Sequence, residues 1–472
     1  MAVMLAAVRL GATRHGRSYS RIVTLLRDKP LQRRVEVNGW VKAVRRQKER
    51  TFVDLDDGSC VKNLQVVVPS TQRPPGLTFH AAVRAQGELR PSPTQRRRWS
   101  CGRTRWRSSG VEDKTYPFKP RHTHPPDHLR ECPHLRPRDS TFAAMLRVRS
   151  QAKLSIQQYF DRHGFTCIDT PVLTANDCEG GGEVFSIQAT PGSQNPSRGQ
   201  VIHFFGHPTH LTVSGQLHLE AAASCLSKVY CFNPAFRAEN SLTRRHLAEF
   251  WMVEAEEAFL GEEGLEGVAE RVEGLVKDCV EEVVEKRQEE VALHWRSCEG
   301  REALIHQALC QPFIHITHKE AVDTLIRHAP HLSVPPPAPH EDLRREHEAF
   351  LTSHAGQRPV LVTHWPQEVK PFYMATVEGR PDVALALDLL LPEVGETAGG
   401  GVREPSTDVL LQRLPQDTQK GLQWYLEMRG LGGAPPTAGF GLGFERLVQF
   451  ILGVKNIKDV VLFPRWAKHC LG

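Results

Sequence analysis

No run of this chain is apolar for long enough to cross a membrane, and no two of its 11 cysteines have C-x-x-C spacing. The first absence leaves no candidate spanning helix, so a soluble protein with no membrane partner is expected. The second argues against a zinc ribbon, and thiols scattered along so long a chain argue against a disulfide framework. The Walker loop G-x-x-x-x-G-K-S/T is also missing, which removes the commonest phosphate cradle. Acidic residues are lacking before Asp28, while Arg9, Arg14, Arg17, Arg21 and Arg27 precede it. These five arginines supply all but one of the six net positive charges, leaving the remainder nearly neutral. Nucleic-acid contact must then use local basic patches rather than bulk charge. An Arg-bearing, acid-free start without a continuous apolar stretch fits a mitochondrial presequence at 1–27 and a place in the mitochondrial matrix; a disordered basic tail is the alternative.

What is present suits two or three domains in 472 residues. Val35–Val44, Thr51–Leu55 and Leu64–Val68 alternate and are rich in β-branched residues, broken by the basic turn Arg45–Arg50 and by Asp56-Asp57-Gly58. With Ala81–Leu89 they suggest a small barrel, for which the oligonucleotide-binding OB type is the leading candidate. Residues 93–141 are rich in Arg, Pro and His and show neither helical nor strand period, so they read as a hinge or linker. Helical spacing marks Met145–Phe160 and a long helix at about 264–290, with a strand expected at Phe165–Val172 around Pro171. Pro335-Pro336-Pro337 marks a loop, and about 260–350 reads as an inserted region.

Three separated segments place charge within glycine-punctuated, β-rich sequence. Phe236 to Asn240 continues through Arg244–Phe250 into a strand bearing Glu254 and Glu256, which implies two strands joined by a charged loop flanked by Arg237 and Phe250. Asp388, Glu393 and Glu396 lie beside Gly399-Gly400-Gly401. Gly439-Phe440-Gly441-Leu442-Gly443-Phe444-Glu445-Arg446 runs into an apolar helix at Leu447–Leu452. Two arginines and a carboxylate pair make a clamp for a nucleoside triphosphate and Mg²⁺, with an aromatic ring stacking on the base. Singly, each piece is weak, since a lone arginine in a strand is usually a surface ion pair.

The strings FRAEN at 236–240, RRHLAEF at 244–250 and GFGLGFERLVQFILGVKNIKDV at 439–460 resemble motifs 2 and 3 of class II aminoacyl-tRNA synthetases, and more narrowly the aspartyl/asparaginyl/lysyl subgroup. The helix and strand ending at Pro171 resemble motif 1, a dimer-interface element. The resemblance implies an α+β protein with an N-terminal OB-type barrel at 28–92 that binds the anticodon, then a class II catalytic domain at 142–472 built on an antiparallel sheet flanked by helices. By motif position, Arg237 is expected on the ATP α-phosphate, Glu239 on the adenine amino group, Phe250 stacked on adenine and Arg446 on the γ-phosphate. Asp388 and Glu396 are the expected Mg²⁺ carboxylates, and His246 lies near the triphosphate. Glu183, in an acidic glycine-rich loop, is expected at the amino-acid ammonium group. Ser214 and Gln216, in VSGQLHLE, match amino-acid pocket residues, and Arg403 matches the arginine that reaches the substrate side-chain oxygen. On the barrel, Phe52 and Gln65 resemble residues that stack on and hydrogen-bond anticodon bases.

Aspartyl relatives carry a lysine where Leu219 stands, to pair with the substrate carboxylate. Its absence favours a neutral amide, because a buried carboxylate with only Arg403 would be undercompensated. The expectation is a homodimer that activates asparagine with ATP and charges tRNA(Asn). An aspartyl or relaxed Asp/Asn enzyme and a non-catalytic RNA-binding relative remain open alternatives. Thr397-Ala398 and Pro405 depart from the usual pattern around Arg403.

Overall fold

The computed structural model describes residues 19–29, 34–73, 76–91, 99–110, 116–119, 122, 124–175, 184–188, 203–260, 264–414, 419–431 and 435–472. Two compact units divide the chain, one up to His128 and one from Leu129 onward.

The first unit is a closed five-stranded barrel, in the order β1-β2-β3-β5-β4. Its strands are β1 (Arg34–Arg46), β2 (Arg50–Asp56), β3 (Leu64–Pro69), β4 (Ala82–Pro91) and β5 (Trp99–Gly110). The period-2 alternation of β1 to β3 turns Val35, Val37, Val53, Leu55, Leu64 and Val66 into a common core, as the sequence predicts. Two expectations fail here. β5 lies inside the segment read as a linker, yet it pairs antiparallel with β4 over most of its length and parallel with β3 at Gln65↔Ser100 and Val66↔Cys101. Barrel closure is made by backbone hydrogen bonds, which are indifferent to the basic letters that hid the strand. The helix Ile22–Asp28 overlaps the stretch assigned to a presequence, but Ile22 and Leu25 are buried in the barrel core. Asp57 and Ser59 accept its first N–H groups, from Ile22 at 2.8 Å and Val23 at 3.0 Å.

The second unit begins earlier than 142. Arg136 is buried and donates to the Lys458 and Val461 carbonyls, while Arg130 grips Asp459 with two contacts of 2.6 Å. Asp139 caps the helix Ser140–Arg162 by accepting from Thr141 and Phe142 N–H. Strand pairing expected through Val172 is confined to β6 (Thr166–Cys167); β7 (Leu173–Thr174) and β8 (His210–Leu211) form a separate small ladder. The main sheet also contains β9 (Lys228–Phe236), β10 (Glu249–Ala258), β11 (Ile314–Thr317), β12 (Val360–Pro366), β13 (Thr376–Val377), β14 (Arg380–Leu391), β15 (Gly395–Val402) and β16 (Thr437–Gly443). Its order is β11-β12-β14-β15-β16-β10-β9-β6, with β13 beside β14, and only the β11–β12 and β6–β9 pairs are parallel.

One sheet face is covered by the helices Ser140–Arg162, Gly264–Lys286 and Phe444–Leu452. Val268, Val272, Leu275, Val276 and Val283 of the second pack in one core with Val253, Phe440, Leu442 and Leu447. Residues 264–350 supply helices of this covering layer and the edge strand β11. The apolar stripe spaced for a helix is what binds them to the sheet.

Candidate active site

The opposite face of the same sheet lines a cavity of ≈ 250 Å³. Strand alternation decides which side chains reach it. On β10, Phe250, Met252 and Glu254 line the cavity, whereas Val253 and Ala255 point into the helix-covered core. On β16, Gly441 and Gly443 form floor while Phe440 and Leu442 are core. The register sets Met252 against Gly443 and Glu254 against Gly441, so each large side chain stands beside a residue with no side chain.

Motif 2 folds as the sequence predicts. β9 and β10 pair with Phe236 opposite Glu249, and Arg237 N–H donates to the Ala248 carbonyl at 3.0 Å to close the charged loop. The Arg237 guanidinium lies 5.5 Å from the Phe250 ring centroid. Glu239 and His246 meet at 3.4 Å, and the other His246 ring nitrogen lies 2.6 Å from the Thr243 hydroxyl. Burial lowers the His246 pKa, with Glu239 opposing and Arg446, Arg245 and Arg237 adding to the effect. Arg446, in the first turn of Phe444–Leu452, donates to the Glu396 backbone carbonyl and stands 3.7 Å from its carboxylate.

Asp388 and Glu396 converge because β15 carries a bulge. Asp388 pairs with Gly399 and Leu389 with Ala398, but Leu390 pairs with Glu396, so Thr397 is the extra residue and Glu396 is turned to the Asp388 face. A Cβ on Gly399 would lie 3.1 Å from Asp388 Oδ1 and 3.8 Å from Glu396 Oε1, so both carboxylates overhang this glycine. Burial pushes the Asp388 carboxyl up to about 7; Lys370, at 2.5 Å, opposes that and the Glu396 charge reinforces it. Burial acts the same way on Glu396, but Arg446, Lys370, Arg237 and Arg245 outweigh it and hold its pKa low. Thr397, one of the departures noted in the sequence, is satisfied by donating to the Gly395 carbonyl at 3.0 Å.

Arg237, Glu239, His246, Phe250, Asp388, Glu396, Arg446, Ser214 and Gln216 are thus brought to one cavity. Others are not. Arg403 is outside the cavity lining and 1% exposed, with Nε 3.1 Å and Nη2 2.9 Å from the two Glu256 carboxylate oxygens. Burial pushes the Glu256 carboxyl up and Arg403 pulls it back; the two-point fork fixes the ionised pair. Leu219 is a fully buried core residue packed with Ala223, Val229 and Cys231, and it is not among the residues that line the cavity. Glu183 lies outside the described residues. On the barrel, Phe52 is half-buried with the Arg45 guanidinium 4.7 Å above its ring. Gln65 is buried, and its side-chain amide nitrogen finds no hydrogen-bond partner among the described residues.

Several site residues had no role assigned from sequence. Glu254 accepts from the Ser214 hydroxyl and from Gly215 N–H at 2.9 Å, and Tyr373 donates to Gln216 Oε1 at 3.1 Å. Lys370 pairs with Asp388, and Arg245 with Glu348 at 2.9 Å. For Glu254 the signal was available: positions 250, 252, 254 and 256 alternate onto one face, and acids there cannot belong to the apolar side. Lys370 and Tyr373 come from a loop whose approach no periodicity announces.

The family model for class II tRNA synthetases (D, K and N) matches residues 127–467. The asparaginyl-tRNA synthetase of Mus musculus is 42% identical over 93% of this chain and 91% of its own length. The asparagine–tRNA ligase of Thermosynechococcus vestitus is 40% identical over 94% of this chain and 98% of its own length. In three dimensions, the asparaginyl-tRNA synthetase of Pyrococcus horikoshii complexed with asparaginyl-adenylate superposes with a TM-score of 0.84 at 27% identity, covering 97% of this chain and all of that one. Motifs, sheet, cavity and relatives agree: the chain belongs to the class II tRNA synthetases of the aspartyl, lysyl and asparaginyl group, and within them to the asparaginyl-tRNA synthetase family.

Proposed function

We propose that this chain activates asparagine with ATP to asparaginyl-adenylate and transfers it to the 3′ end of tRNA(Asn). The observation that carries the reading is the grouping of Arg237, Arg446, Asp388, Glu396 and Phe250 around one cavity, on a chain whose relatives perform this reaction. An asparagine carboxylate oxygen attacks the α-phosphorus, the bond to the bridging oxygen breaks, and pyrophosphate leaves with the electron pair. The step needs no side-chain nucleophile, only positioning and charge stabilisation. Arg237 is suited to the α-phosphate and Arg446 to the γ-phosphate, with adenine on Phe250 and its amino group at Glu239. The tRNA hydroxyl then attacks the mixed anhydride and releases AMP.

Mg²⁺ fits the carboxylates over Gly399, whose mutual repulsion a divalent cation relieves. Among the described residues no group of three His, Cys, Asp or Glu side chains could hold a metal, so the remaining ligands would be phosphate oxygens and water. Bound there, the ion would neutralise phosphate charge, while Lys370 holds the Asp388 carboxylate in place. On the barrel, Phe52 offers a stacking face and the Gln65 amide nitrogen, without a partner among the described residues, a donor to a base, which suits an anticodon. A homodimer through the motif 1 segment and a place in the mitochondrial matrix complete the proposal. Light scattering should give twice the chain mass, and the imported protein should begin upstream of Ile22. The central test is ATP–pyrophosphate exchange, expected with asparagine and not with aspartate. Equal exchange with both would make it a relaxed enzyme; none with either would make it a non-catalytic relative.

A further inference from the structure

The segment Arg465–Gly472 belongs to none of the motif strings, yet together with the turn Ile457–Asp459 it holds the charged loop between β9 and β10. We propose that Arg465 and Trp466 are positioning residues for the ATP side of the cavity, acting on Arg237 and Phe250 through the backbone of that loop. The inference rests on the reading of the cavity as an ATP site and deepens it.

The loop is held at three points of its backbone. The Arg244 carbonyl accepts from Ile457 N–H at 2.9 Å, and the Leu242 carbonyl accepts from the Lys458 ammonium at 3.4 Å. Ala248 N–H donates to the Arg465 carbonyl at 2.7 Å, and Arg465 bridges Glu249 in antiparallel fashion. Arg465 thus adds one residue of strand to the end of the β9–β10 hairpin. Because the Ala248 carbonyl accepts from Arg237 N–H, a line of hydrogen bonds runs from Arg465 through Ala248 to Arg237. Phe250 follows two residues later on the same strand, and Ile457 lines the cavity beside both.

A brace must be firmer than what it holds. Asn456 caps the turn by accepting from Lys458 N–H at 3.1 Å, while Arg130 pins Asp459 and the buried Arg136 pins the Lys458 and Val461 carbonyls. Arg465 closes its own segment, with Nη1 donating to the Leu471 carbonyl at 2.7 Å and Nη2 to the Gly472 carbonyl at 3.0 Å. Trp466 and His469 exchange backbone hydrogen bonds of 3.2 and 2.8 Å and stack their rings 3.4 Å apart. The Lys458 ammonium lies 4.5 Å from the Trp466 ring centroid. Trp466 therefore ties the Arg465 contact to the Lys458 contact, and loosening it loosens both. On the amino-acid side, Ser214, Gln216 and Tyr373 take partners from Glu254, Glu220 and one another. A slack segment should misplace the nucleotide contacts and spare the asparagine contacts.

The test measures pyrophosphate exchange and the Kd of a non-hydrolysable ATP analogue for Trp466→Ala, Trp466→Phe and Arg465→Ala. Trp466→Ala should raise KM for ATP and Kd for the analogue roughly tenfold, on the scale of one or two lost hydrogen bonds. KM for asparagine should keep its wild-type value. Trp466→Phe retains a ring between His469 and Lys458 and should recover most of the ATP affinity. Arg465→Ala opens the segment without removing the stacked rings and should show the same split; it decides the matter if Trp466→Ala does not fold. Wild-type KM for ATP in the folded variants, or both KM values rising in step, would overturn the proposal. A wild type that binds the analogue but lacks asparagine-dependent exchange would sink the functional reading instead, and the variants' Kd would still decide this one.

Discussion

The two faces of the main sheet obey different rules, although they alternate residue by residue along the same strands. Toward the helices stand Val253, Ala255, Phe440 and Leu442, held by burial of apolar surface. Toward the cavity stand Phe250, Met252 and Glu254, set against Gly441 and Gly443. The first face needs only volume and apolarity, so many sequences would serve. On the second, acids are removed from water and must be held by partners: Glu254 by Ser214 and Gly215, Asp388 by Lys370, Glu256 by Arg403. The cavity face is thus a paired-charge surface with two kinds of cation, those already committed to a buried acid and those offered to a ligand.

One arginine of each kind tests that division, and the largest effect is expected for the committed one. Arg403→Met leaves Glu256 buried without its counter-ion and should cost about 3–5 kcal/mol of stability, read as a lower urea midpoint. Arg446→Met, at the cavity, should cost about 1 kcal/mol or less in stability yet remove pyrophosphate exchange. Equal destabilisation by both would break the distinction between committed and offered cations. Next in size, Arg237→Ala should raise the activation barrier by at least about 3 kcal/mol, the scale of a lost oxyanion donor, with the unfolding midpoint nearly unchanged. Near-normal exchange by this variant would remove Arg237 from the site.

This contrast also explains what could be read from the sequence. Apolar alternation located β1 to β4, and helical spacing located Ser140–Arg162 and Gly264–Lys286, because those elements are specified by which residues leave water. Motif strings identified nine residues that do converge on the cavity. They did not say which partner each takes: Arg403 is held by Glu256 of β10 and stays outside the cavity lining. The meeting of Asp388 and Glu396 depends on a bulge at Thr397, a register feature no local pattern encodes. β5 was missed because its letters are basic and small, and hydrogen bonds to β3 and β4 build it all the same.

The barrel offers the mildest and most selective break. Phe52 sits half-buried on β2 with Arg45 over its ring, while its strand neighbours Val53 and Leu55 fill the core. Phe52 is therefore only partly committed to folding, as the cavity arginines are. Phe52→Ala should weaken tRNA charging by about 1–3 kcal/mol, the range for one base stacked on an aromatic ring. It should leave asparagine-dependent pyrophosphate exchange intact, because no tRNA takes part in that half-reaction. If exchange falls along with charging, Phe52 serves the barrel's own packing, and the base-stacking face must be sought elsewhere on β1 to β3.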